Sequence, residues 1–95
     1  MNETGLGYGV LNYTFFHHGS IDMLYVDSDH RRCGAGTALI KYIESLCQTP
    51  KLFTPSTLSN LPMQSLLAKL GYVLSGVIHN LDDGDPEIVY FKRLR

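Results

Sequence analysis

Arg31, Arg32, Gly34 and Gly36 have the clearest chemistry in this sequence. They stand between a β-rich run that ends at Val26 and an amphipathic run that starts near Thr37. A helix N-terminus leaves N–H groups unpaired and carries the positive end of the helix dipole, so it binds phosphate. Glycines let the backbone approach an anion closely, and arginines add charge-assisted, often bidentate hydrogen bonds. The segment therefore predicts an anion-binding nest for a phosphate-bearing ligand.

Three loop patterns compete for that ligand. A Walker loop needs Gly-x4-Gly-Lys-Ser/Thr, which the sequence lacks. A dinucleotide fingerprint needs Gly-x-Gly-x-x-Gly, but Leu39 stands at the third glycine and no acid ends the next strand, Lys51 to Thr54. The third pattern, Arg/Gln-x-x-Gly-x-Gly/Ala, is met by Arg31, Gly34 and Gly36. A plain helix start beside a solvated arginine pair is the alternative to all three.

The positioning elements follow from periodicity. Tyr8 to Phe16 and Ser20 to Val26 read as two strands joined by a turn at His17, His18 and Gly19, an antiparallel hairpin. After Gly34, Leu39, Ile43 and Leu46 fall on one helical face, and Pro50 ends the helix. Lys51 to Thr54 is a short strand. Asn60 caps a second helix, Pro62 to Leu70, that Gly71 terminates. Tyr72 to His79 and Glu87 to Lys92 are strands around a turn at Leu81 to Pro86. The expected fold is mixed α/β in the order β-β-α-β-α-β-β: a mainly antiparallel sheet with two crossover helices.

With 95 residues there is room for one small domain, residues 1–95, with a thin stability margin. A net charge of -1 argues against nucleic acid as the main partner. No apolar run reaches the roughly 20 residues that span a bilayer, and the first residues do not resemble a signal peptide. Cys33 and Cys47 read as reduced thiols of a cytoplasmic protein, and no Cys/His cluster has metal-ligand spacing.

Residues Ile21 to Arg95 resemble the C-terminal part of the GNAT superfamily of acyl-CoA-dependent N-acetyltransferases. The resemblance rests on IDMLYV at Ile21 to Val26, the Arg31–Gly34–Gly36 pattern, and Asn60 followed by a helix ending Leu70-Gly71-Tyr72. The closing strand through Tyr90 to Leu94 fits as well. The resemblance implies that acetyl-CoA is the cofactor, that Leu24 and Val26 offer backbone groups to its pantetheine arm and acyl carbonyl, and that Tyr25 belongs to the same binding strand. Its slot would open between Ile21–Val26 and Lys51–Thr54, a splayed parallel pair. Arg31, Arg32, Cys33, Gly34, Ala35 and Gly36 would line the pyrophosphate, with a hydroxyl from Thr37. Asn60 would bond the pantetheine or help the leaving thiol, cap the second helix, or do both.

The implied reaction is direct attack of a neutral amine on the thioester. Period-2 alternation puts Ser20, Asp22, Leu24 and Val26 on one strand face. Asp22 is then the candidate base or ammonium holder, or else a strand-edge carboxylate. Many family members carry a tyrosine on the second helix to protonate the leaving thiolate, and Leu67 replaces it here. Asp82, Asp83 and Asp85, in an acidic turn, are candidates to attract a cationic amine, or are ordinary turn residues.

The resemblance implies a first strand, two helices and a further strand that have no counterpart in this sequence. The chain thus reads as an N-terminally truncated domain with bare apolar sheet surface: a fragment, a chain whose true start lies earlier, or a homodimer that covers the exposed part. The acceptor is a small-molecule or protein amine. Two alternatives stay open: an inactive relative that binds acyl-CoA or dimerises, and a different nucleotide-binding protein with the same loop.

Overall fold

The computed structural model describes residues 2–3, 7–26 and 34–95. In chain order its elements are β1 (Asn2–Glu3), β2 (Gly7–Phe15), β3 (His18–Val26), α1 (Ala35–Leu46), β4 (Lys51–Thr57), α2 (Leu61–Lys69), β5 (Val73–Ile78) and β6 (Glu87–Arg93). They form one six-stranded sheet in the order β1-β2-β3-β4-β6-β5. Among the described residues only β3 and β4 pair in parallel. The fold class is as expected, with the two-residue β1 added at the edge.

Both helices pack on one face of the sheet. Leu39, Ile40 and Ile43 of α1 and Leu67 of α2 are buried against Ile21 of β3 and Leu52 of β4. Each such aliphatic side chain contributes about 1.5–3 kcal/mol by leaving water. Leu67, at 0% exposure, is inside this core. The position where the resemblance implies a tyrosine is therefore filled by packing here. On the opposite face Phe15, Phe53 and Phe91 stack across three strands, with ring centroids 4.9 and 5.6 Å apart.

The hairpin turn lies one step earlier than expected. Phe16 and His17 make it, with φ of 52° and 66°, and His18 and Gly19 already belong to β3. Both signs suit a type I′ turn, which the residue types do not advertise because Asn-Gly is its usual occupant.

Strand β4 runs three residues past the expected end, through Pro55. Leu58 N–H donates to the Pro86 carbonyl, and Leu94 N–H to the Pro50 carbonyl. Even-numbered residues of this stretch therefore turn their backbone groups toward β6, and odd-numbered ones toward β3. The N–H that proline lacks would face β3, which has already stopped pairing there.

Tyr72 ties the far end of the core together. Its hydroxyl donates to Glu44 Oε2 at 2.8 Å, and Lys92 Nζ approaches the same oxygen at 3.2 Å. Burial pushes the Tyr72 phenol well above its ordinary value, and Glu44 raises it further. A phenol whose folded pKa is raised stabilises the fold fully below about pH 10, and that stability is lost as pH climbs toward the folded value. Tyr72→Phe should cost about 1–2 kcal/mol at pH 8. Its deficit against wild type should shrink above about pH 10. Urea midpoints from pH 8 to 11 measure this, and a constant gap would refute it.

Candidate active site

The site begins where β3 and β4 part. They pair at Gly19–Leu52 and Ser20–Phe53 and no further, although both strands continue. A register slip sits beside that point. Val10 pairs with Met23 and Leu11 with Ile21, which leaves Asp22 as the extra residue of a β-bulge.

The bulge corrects the expected alternation. Ile21 belongs to the core cluster and Leu24 packs against it, so these two residues share the helix-facing side. Ser20, Asp22 and Leu24 therefore do not line up as period 2 requires. Asp22 is exposed, and Ser20 Oγ donates to its Oδ1 at 2.8 Å. The carboxylate is held at the mouth of the opening rather than on the row that carries Leu24.

The parted strands open into two adjoining hollows. One, of about 100 Å³, lies between Asp22 and Leu24 of β3 and Thr54 and Ser56 of β4, with Asn60 and Met63 closing it. The other, of about 380 Å³, is lined by Leu24, Tyr25, Gly36, Asn60, Met63 and Leu66, among others. Leu24, Asn60 and Met63 border both, so the cleft is continuous from the α1 start to the apex of the splay.

The α1 start suits an anion. Gly34 is the N-cap, with φ of 85°, a left-handed conformation glycine adopts without strain. Among the described residues no side chain caps it, and the first turn holds no acid. Ala35 and Thr37 are half-buried beside it, and Gly36 is buried. Arg31, Arg32 and Cys33 lie outside the described residues. Val26 closes β3 just before that segment.

Asn60 does cap α2. Its Oδ1 accepts from Met63 N–H at 3.2 Å, which leaves the amide end of the side chain free to donate into the cleft it lines. Asp85 is engaged within the fold: its carboxylate accepts from Ser59 N–H at 3.1 Å and from Ser59 Oγ at 2.7 Å. That anchors the acidic turn next to Asn60 and leaves Asp82 and Asp83 as its exposed carboxylates. Partial burial first, then Asp82 and Asp85, raise the Glu87 carboxyl above its ordinary value.

Sequence reasoning passed over Thr54 and Ser56. They are 1% and 5% exposed on the buried side of β4, beside Leu52. The signal was available: two hydroxyls on the period-2 face where a core strand normally places aliphatics. Among the described residues no group of His, Cys, Asp and Glu could hold a metal ion. No helix there is long and apolar enough to cross a membrane.

Residues 2–72 match the model of the acetyltransferase (GNAT) family. The chain belongs to the GNAT family. Solved GNAT structures carry the same fold. A GNAT acetyltransferase from Bacillus cereus ATCC 10987 is 31% identical with a TM-score of 0.88, over 97% of this chain and 66% of that one. An acetyltransferase from Bacillus cereus ATCC 14579 is 28% identical with a TM-score of 0.72, over 97% and 67%. An acetyltransferase from Bacillus anthracis str. Ames in complex with acetyl coenzyme A is 19% identical with a TM-score of 0.84, over 93% and 55%. The chain thus spans about two thirds or less of these acetyltransferases. No curated protein matches it.

Proposed function

We propose that this GNAT chain uses acetyl-CoA to acetylate an amine. The observation that carries the reading is the continuous cleft, which runs from the α1 start past Asn60 to the splay of β3 and β4. Its shape suits a ligand with an anionic end and a long, thin, amide-bearing arm. When bound, acetyl-CoA supplies the activated acetyl thioester.

The backbone N–H groups from Gly34 to Thr37, with Arg31, Arg32 and Cys33, hold the pyrophosphate. Leu24, Tyr25 and Val26 offer backbone groups along the arm, and Asn60 donates its side-chain amide. Asp22, steadied by Ser20, holds the incoming ammonium and accepts its proton, directly or through water. Asp82 and Asp83 draw a cationic acceptor toward the opening. Leu67, buried and apolar, offers no acid to a leaving thiolate, so solvent would supply that proton.

Release of free thiol from acetyl-CoA, measured across a panel of primary amines and polyamines, tests the reaction. Asp22→Asn should lower kcat roughly tenfold to a hundredfold with little change in the affinity for acetyl-CoA. An unchanged kcat removes Asp22 from the chemistry.

The stacked face of Phe15, Phe53 and Phe91 supports a homodimer in which two copies cover each other's sheets. Sedimentation at micromolar concentration should give twice the chain mass. A particle of single mass would exclude that pairing.

A further inference from the structure

We propose that Thr54 is a ligand-binding residue of the cleft, and that its hydroxyl donates a hydrogen bond to the carbonyl oxygen of the bound thioester. The inference rests on the acetyl-CoA reading above and adds a contact at the apex of the splay.

Thr54 is 1% exposed, and its Oγ1 has no hydrogen-bond partner among the described residues. Buried hydroxyls are nearly always paired, because an unpaired one forfeits the bonds it made to water. Its neighbours do not relieve it. Ser56 Oγ turns to the Thr57 carbonyl at 3.3 Å, and Ser20 Oγ serves Asp22. The backbone of Thr54 is committed to the β6 side, where it pairs with Tyr90. The side chain lines the smaller hollow with Asp22 and Leu24.

Position decides what the hydroxyl would meet. Thr54 is one residue past the last β3–β4 pair, Ser20–Phe53, so it sits where the strands first separate. Gly36 and the α1 start border the other part of the cleft. A ligand anchored there by its phosphates reaches Thr54 with its opposite end, the acyl thioester. A hydroxyl can donate to that carbonyl and so polarise it toward attack.

Calorimetric titration of acetyl-CoA and of CoA into wild type, Thr54→Val and Thr54→Ser tests this, together with the Tm of each ligand-free protein. Thr54→Val should bind acetyl-CoA about tenfold more weakly and CoA, which lacks the acyl carbonyl, equally well. Its Tm should hold or rise, since the unpaired hydroxyl is gone. Thr54→Ser should keep wild-type affinity for both. Equal acetyl-CoA affinity in Thr54→Val overturns the inference, and a lowered Tm alongside it would assign the hydroxyl to the fold. Equal loss for both ligands overturns the assignment to the thioester carbonyl. A wild type that binds neither ligand removes the acetyl-CoA reading itself, and this inference with it.

Discussion

Acetyl-CoA affinity should fall by roughly a hundredfold in a Gly34→Pro variant. Gly34 holds φ at 85° and its carbonyl accepts the first helical bond, from Ala38 N–H at 3.0 Å. Proline fixes φ near -65° and so cannot take that conformation. The α1 start must then rebuild, and the N–H groups proposed to hold the pyrophosphate lose their common direction. Gly34→Ala is the control. Among the described residues a Cβ there meets nothing within 4 Å, so alanine bears the left-handed backbone cost of about 1–2 kcal/mol. Calorimetry with circular dichroism separates lost binding from lost fold. A folded Gly34→Pro variant with wild-type affinity would place the pyrophosphate elsewhere.

Ile43→Ala should be the most damaging single truncation. Ile43 is 0% exposed at the centre of the core. It packs so closely over β2 that a Cβ on Gly9 would lie 2.5 Å from its Cδ1. Large-to-small changes at such sites cost about 2–5 kcal/mol, the lost transfer energy plus the cavity. Single domains have only about 5–15 kcal/mol in total. For a chain of this size the Tm should drop on the order of 15–20 °C. A loss under about 1 kcal/mol in urea unfolding would mean that the core can close over the gap.

The sequence carried both helices well, because Leu39 and Ile43 stand at helical spacing in α1 and Asn60 and Gly71 bracket α2. Gly71 does hold φ at 93°, as a helix terminator should. What it hid are features that break a local rule. Asp22 is a β-bulge, and no residue type announces one, so the strand alternation ran through it unbroken. Phe16 and His17 take positive φ where Gly and Asn are the usual cue. Pro55 argues against a continuing strand until the splay shows that its missing N–H faces no partner. Asp85 looked like its acidic neighbours, and only its two bonds to Ser59 separate it from them. Thr54 and Ser56 broke the aliphatic pattern of a buried strand in plain view. Four of these departures (Asp22, Pro55, Thr54 and Ser56) cluster at the cleft, where a local irregularity opens space for a ligand.

Calorimetric titration of acetyl-CoA into the purified chain, with Arg31→Ala beside it, tests the central claim most directly. The account predicts one site per chain in the wild type and binding about tenfold weaker in the variant, which loses a charge-assisted bond to phosphate. A folded wild type that takes up no acetyl-CoA, or an Arg31→Ala protein that binds as tightly, would contradict it.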